Sequence, residues 1–582
     1  MSERKLMLLC LLITCLSWMV ITDSLLPGAT GRIGHDYAYF LPRLLAGEYW
    51  IENNGWFSLP WFSPAFGAGL PAYAHPANGH VSLPQWLCAF VDPLTAVRWT
   101  ALISLIAGFV GMWLFARRSL KLGAGAAALA AVLFALNGFH IARMAVGHLA
   151  FHASMLAPLC AWLLLRPAST RAGWWAGSLG AGLCLSYQLQ AGNVYGLPPL
   201  LLVLAALACV HVLRGGTIRG LTGRAAVALL VMLGLCAAKL CAALAFLSSF
   251  PRSGYPLPGA ENPLALLELL FRALFLSPPA DRARELFVNQ PFMLGEHEWD
   301  LGLTLVPLVA ILLGAALCFR AETLRSLARQ RWALATLLLI CVVPLALNLH
   351  SPGWERVLKS LPVVGSSSSF VRWLWMFVPL VAVLAACAIE GLERRAWLAR
   401  ASWVAMAVFL ALQVMHSRKV YAEQPYNPRP VVDAWKRHAA PTITRVTIPA
   451  VVDGQIRLSA DRDDALLRGE SQLLTYEPLF GYRLEWFPKG PVRPGEVRIG
   501  NLHHPLAFLY PEAAGRAPGA PFQPGEEAQL QAFVEYRSFE IEWPLRQRLA
   551  NLVNLLALTG VSLLAAALLY SSLRRQRSSP GS

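Results

Sequence analysis

Long apolar runs recur along the chain, separated alternately by short basic stretches and by longer aromatic or polar ones. A membrane-spanning helix needs about 20 mainly apolar residues. Twelve stretches fit: Leu6 to Ile21, Val97 to Ala116, Gly123 to Leu136, His152 to Leu165, Trp174 to Leu189, Gly196 to Leu213, Ala225 to Phe246, Leu301 to Phe319, Trp332 to Leu347, Phe370 to Ile389, Ser402 to Met415 and Leu549 to Tyr570. The pattern predicts a multi-pass α-helical membrane protein.

Arginine placement orients the bundle, because short cytoplasmic loops carry the excess of Lys and Arg. With the N-terminus inside, every inside segment is basic: Arg4 and Lys5; Arg117, Arg118 and Lys121; Arg166 and Arg171; Arg214, Arg219 and Arg224; Arg320, Arg325, Arg329 and Arg331; Arg394, Arg395 and Arg400; Arg574, Arg575 and Arg577. The expected location is a bacterial inner (cytoplasmic) membrane. The first run has the charged start of a signal peptide, but no small-residue cleavage site follows, so it is read as an uncleaved helix.

Three regions follow: 1–416 as the membrane module with a long outer loop at 23–84, 417–545 as a small outer β-rich domain, and 546–582 as the last span and a basic tail. The β assignment rests on alternation in Thr442 to Ile448 and Gln455 to Leu458 among many Pro and Gly. In the first loop, many aromatics argue against disorder and for short helices lying in the interface.

Composition agrees. Hydrophobic residues make up 56 % and charged ones 14 % of the chain, which excludes an ordinary soluble protein. The net charge of +16 is largely topological and calls for no nucleic acid. All eleven cysteines lie in or beside apolar runs, with no CxxC pair and no disulfide framework. Of thirteen histidines, only His211 falls near the inside, so any chemistry faces outward.

Candidate chemistry centres on Gly34-His35-Asp36-Tyr37, just after the first apolar run. Asp36 is either a catalytic carboxylate with His35 beside it or a helix cap. Arg143 and His148 in the turn from Asn137 to Phe151, with Arg372 at the start of a span, are phosphate-binding candidates or headgroup anchors. Glu296, Glu298 and Asp300 read as a solvated acidic cluster. Lys239, inside a span, is an unexplained charge, and His503-His504 is a weak acceptor-site candidate. A divalent cation at Asp36 is compatible with a carboxylate ligand but not specified by it, and no phosphate-cradling glycine loop is present.

The stretch Trp61-Phe62-Ser63-Pro64-Ala65-Phe66-Gly67-Ala68-Gly69-Leu70-Pro71, continuing through Ala74-His75-Pro76 to Pro84, resembles the first-loop pattern of YfhO-like bacterial membrane proteins. Asn137-Gly138-Phe139, Arg143 and Gly147-His148 are similar to that family's turn between the third and fourth spans. Gln190-Ala191-Gly192-Asn193 is similar to its next outer turn, and Leu361-Pro362 with Phe370-Val371-Arg372 to its late arginine motif. The resemblance covers roughly Leu6 to Ala386.

It implies a GT-C glycosyltransferase fold with Asp36 as the essential first-loop carboxylate, and Asn193, Arg143, His148 and Arg372 about the substrate; His80 in the same loop is a further substrate-binding candidate or a satisfied structural histidine. The implied reaction moves a sugar, with inversion, from a polyprenyl-phosphate donor to an envelope glycan, lipid or protein acceptor. A transporter or flippase for lipid-linked glycans, and a non-catalytic envelope assembly factor, are the alternatives. Mostly Ala, Leu, Val and Gly in the spans, with polar groups gathered at one face, favour an enzyme over a conduit.

Overall fold

The computed structural model describes residues 2–28, 31–249, 256–290, 294–318, 330–361, 364–367, 369–448, 451–452, 455–456, 462–472, 495–497 and 502–578. Phe319, Arg320, Arg325, Arg329, Pro362 and Leu458 of the sequence runs and motifs lie outside them. Described residues are mostly helical.

Each predicted run falls on a helix or, over Ala225 to Phe246, on two, but not every helix has the length or apolarity to cross a bilayer. Among the described residues six do: Glu3–Thr22, Pro93–Ser119, Ala124–Val146, Val371–Glu393, Ala396–Met415 and Leu545–Arg574. Leu221–Leu235 and Ala237–Ser248 make a seventh if the pair, bent by 66°, is one span. Leu149–Leu165, Leu197–Leu213, Leu305–Leu317 and Arg331–Leu347 are apolar but short. The chain is a membrane protein; among the described residues, six or seven helices reach full span length.

The helix Ala124–Ala135 is the centre of the bundle. It is nearly all Ala, Gly, Leu and Val, ten of its residues are buried, and it packs against Glu3–Thr22, Pro93–Leu114, Phe377–Glu393 and Ala401–Met415. Small side chains let backbones approach closely, which is how apolar helices associate where lipid offers no hydrophobic drive. Gly314 shows the same device: a Cβ there would come within 2.6 Å of Ala388. Lys239 follows the bend, and its Nζ donates to the carbonyls of Asn78 (2.6 Å) and Gln190 (3.2 Å). The mid-span lysine ties the first loop to the end of helix Arg171–Gln190.

Beyond the bundle, the segment after Met415 is not a sheet-dominated body among its described residues. Arg445–Ile448 pairs with Glu470–Gln472 in parallel and with Gly495–Val497 antiparallel, while Val451–Val452 pairs with Gln455–Ile456. Helix Arg429–Lys436 precedes these short strands, a 3₁₀ helix at Arg462–Arg468 lies among them, and helices Leu506–Leu509 and Glu527–Val534 follow them. Alternation in the sequence located strands but did not exclude helices between them.

This segment interlocks with the first loop. Arg32–Ile33 pairs antiparallel with Gln424–Pro425, Gly67 N–H donates to Gln472, and His503 N–H donates to Ala68. Ile33, Tyr37, Leu41, Leu45, Phe62 and Phe66 share one apolar core with Val431, Phe508, Phe533 and Tyr536. His503 and His504 face inward here: His503 Nδ1 meets the Gly519 carbonyl, and His504 Nδ1 accepts from Leu506 N–H.

A buried ion pair anchors the junction. Asp300 accepts from Arg418 Nε (3.1 Å) and Tyr421 Oη (3.0 Å), with both charged side chains almost fully enclosed. Removing one partner of such a pair leaves an uncompensated charge and costs about 3–5 kcal/mol. Asp300→Ala is therefore expected to lower the thermal midpoint of the detergent-solubilised protein substantially, whereas Asp300→Leu combined with Arg418→Met recovers most of it; an unchanged midpoint in the single variant would refute the assignment.

Candidate active site

Backbone signals place the first half of the site. Asn137 accepts from His140 N–H (2.9 Å) and starts the helix Gly138–Val146; Gly147, at φ +98°, ends it in the left-handed region that favours glycine. The reversal swings His148 back over the helix. A Cβ on Gly147 would meet Tyr37 N at 2.7 Å, and one on Gly34 would fall on the Ala145 carbonyl, so both glycines are needed for the first loop to press against this helix. Asp36 N–H then donates to the Val146 carbonyl (2.9 Å), and Tyr37 Oη bonds the Met144 carbonyl.

Asp36 occupies the N-cap position of helix Tyr37–Asn54 without making a side-chain cap bond. Its carboxylate turns to His148, Nε2 to Oδ2 at 2.6 Å, with His35 Nε2 at 3.5 Å from Oδ1. His148 Nδ1 lies 2.7 Å from Arg143 Nη1. Because guanidinium only donates, Nδ1 must accept, so the proton is on Nε2 and points to Asp36. Chemistry alone sets the tautomer.

Arg143 and Arg372 converge on one residue that the sequence reading placed in solvent. Glu298 accepts from Arg143 Nη1 (3.0 Å) and Nη2 (2.6 Å), and from Arg372 Nε (3.0 Å) and Nη2 (2.6 Å). Two of the three acids are therefore not solvated: Glu298 is 5 % and Asp300 1 % exposed, while Glu296 stays half-buried. Arg143 is fully enclosed and Arg372 retains 24 % of its side-chain surface. The Phe151 ring lies beneath both guanidinium groups, at 5.0 and 5.6 Å, and Tyr195 supports Arg372 at 5.3 Å.

His297 completes the group, its ring 5.1 Å from those of both His35 and His148. Glu298 and His297 were the residues that sequence reasoning missed; the available signal was a histidine between two acids beside Trp299, which is itself buried.

Protonation follows from the enclosure. Burial pushes the His148 imidazole down to about 3, overriding the pull of Asp36. Burial alone would raise the Asp36 carboxyl, yet contact with His148, with His35 and His297 behind it, holds it well below the usual carboxylate range. At neutral pH the cluster thus pairs two arginines with two carboxylates through a neutral imidazole.

One ring nitrogen each of His35, His148 and His297 lies within 4.8 Å of the others. Three imidazoles beside Asp36 fit a borderline ion such as Zn²⁺ better than Mg²⁺ or Ca²⁺, which take oxygen ligands. In the hydrogen-bonding pattern present, however, His148 has no lone pair to give such an ion: Nδ1 accepts from Arg143 and Nε2 carries the proton toward Asp36, so the three rings do not fit a metal as arranged.

Asn193 and His80 bond elsewhere. Asn193 Nδ2 donates to Ser154 Oγ (2.9 Å) and Gln188 Oε1 (2.6 Å), and His80 lines a separate cleft.

No family model and no curated protein matches the sequence. Among solved structures the chain is similar in part to the arabinofuranosyltransferase AftD from Mycobacteria, at TM-score 0.39 and 17 % identity over 71 % of this chain and 26 % of that one. It is also similar in part to the Archaeoglobus fulgidus oligosaccharyltransferase. Its complex with Zn and sulfate gives TM-score 0.34 and 16 % identity over 70 % of this chain and 53 % of that one. AglB from the same organism, with an inhibitory peptide and a dolichol-phosphate, gives 0.33 and 15 % over 74 % and 56 %. The chain spans about a quarter of the first protein and just over half of the second. TM-scores this low settle neither its fold nor its chemistry.

Glu298→Gln strands two inward-facing cations and is expected to destabilise the protein by about 3–5 kcal/mol. Adding Arg143→Met should recover part of that loss in a thermal-unfolding assay; a single variant as stable as the parent would show that Glu298 does not hold the arginines.

Proposed function

We propose that this protein is an integral-membrane glycosyltransferase that moves a sugar from a polyprenyl-phosphate donor to an envelope glycan, lipid or protein acceptor at the outer face. The observation that carries the reading is the line Arg143, His148, Asp36: an ionised carboxylate held in a fixed direction by a neutral imidazole, itself fixed by a guanidinium. A structural carboxylate at a helix start would cap the helix, and this one does not. The loop-motif resemblance to YfhO-like GT-C enzymes supports the same assignment.

In this mechanism the acceptor hydroxyl attacks the anomeric carbon on the face opposite the phosphate. The bond from that carbon to the phosphate oxygen breaks, and polyprenyl phosphate leaves with the electron pair, so configuration inverts. Asp36 takes the hydroxyl proton. A carboxylate with so low a pKa is a weak base, so it aligns the hydroxyl early and accepts the proton late, once the oxygen has begun to bond to carbon.

The two arginines have different parts. Arg372, with accessible surface, is the phosphate contact, sliding from Glu298 toward the leaving group. Arg143, fully enclosed, is a positioning residue that acts through His148.

Asp36→Asn is expected to preserve membrane level and folding while reducing sugar transfer from a polyprenyl-phosphate donor by about 10²–10⁴-fold. Full product from that variant in a radiolabelled transfer assay would sink the proposed role. Arg372→Gln should raise KM for the lipid donor more than Arg143→Lys does.

A further inference from the structure

A partly open cleft lies beside the first-loop helix, next to the Asp36 cluster but separate from it. Tyr39 and Phe40, in the first turn after Asp36, line one side of it, and Leu149 and Ala150, directly after His148, line another. Trp50, Phe62 and Phe66 add aromatic wall. Among the described residues that line it, Arg43 is the one charged side chain, stacked between Tyr39 (3.9 Å) and Phe66 (4.5 Å), with no Asp or Glu.

Three enclosed polar atoms on residues of this cleft have no hydrogen-bond partner: Ser63 Oγ, His80 Nδ1 and Tyr536 Oη. Such groups are rarely left unsatisfied in a folded protein, and several around one cleft mark a ligand site. His80 narrows the chemistry. Burial and the nearby Lys239 charge push its imidazole down to about 4, so it is neutral, and a backbone hydrogen bond with Ser58 engages the ring. Nδ1 is then an acceptor and requires a ligand that presents a proton. A phosphate or carboxylate anion presents none. The two hydroxyls give and take protons equally, and aromatic faces suit the C–H face of a ring.

We infer that this cleft seats a sugar ring of the substrate, with the ring on the aromatic wall and a sugar hydroxyl donating to His80. The inference rests on the glycosyl-transfer reading for its biological meaning, but it is tested by binding alone. Two sources share the chemistry: the sugar of the lipid donor and the acceptor glycan.

The full chain in nanodiscs is applied to an array of bacterial envelope oligosaccharides and, separately, titrated with a short-chain polyprenyl-phosphate hexose. His80→Leu, which removes the acceptor, and Ala77→Trp, which fills the cleft from a half-buried lining position, are each expected to weaken saccharide binding at least tenfold. Loss on the array assigns the acceptor, and loss only with the lipid-linked hexose assigns the donor; either supports the inference. Wild-type protein that binds no saccharide of either kind, or variants that bind like wild type, would overturn it. Saccharide binding lost in both variants, from a wild-type protein that transfers no sugar, would remove the glycosyltransferase reading and leave the cleft standing.

Discussion

A charge taken out of water must find its opposite, and Glu298 is where that constraint is met. Two guanidinium groups from distant parts of the chain, Arg143 and Arg372, arrive at this one carboxylate. Without it neither could be enclosed, Arg143 could not hold His148, and Asp36 would lose the partner that keeps it ionised and pointed. The short helix Glu296–Trp299 that carries Glu298 is tied in turn by Asp300 to Arg418 and Tyr421, at the entry to the late segment. Two buried ion-pair systems thus share one short stretch of chain.

That sharing explains why the first loop and the segment after Met415 form a single core. Each is too loop-rich to bury enough apolar surface by itself. Together they enclose Tyr37, Phe62 and Phe66 with Phe508, Phe533 and Tyr536, and the helix beginning at Tyr37 is held with Asp36 at its head. Precision at the site comes from glycines as much as from charges: Gly34 and Gly147 allow two backbones to touch where any side chain would separate them.

Much of the bundle was legible from apolar periodicity, because a helix in lipid must be apolar along its length. Span length was less legible. An apolar run does not state whether its helix crosses, stops short or bends, as Leu221–Leu235 and Ala237–Ser248 do. Asp36, His35, Arg143, His148 and Arg372 were readable as candidates because polar residues at the edge of apolar runs are expensive and therefore conspicuous. Glu298 and His297 were not, since an acidic stretch in a long loop looks the same whether water or two arginines surround it. The late segment's helices were hidden by Pro and Gly, which signal turns and are silent about what lies between them.

The sequence by itself determined that this chain lives in a membrane, where its helices fall, and which side chains are costly enough to need a reason. Those are local facts, decided by the transfer free energy of each segment. Only the tertiary structure decided that the reasons coincide: four segments remote in sequence bring Asp36, three histidines, two arginines and Glu298 together. Pairing between buried charges is a property of distance in space, and separation along the chain carries no record of it.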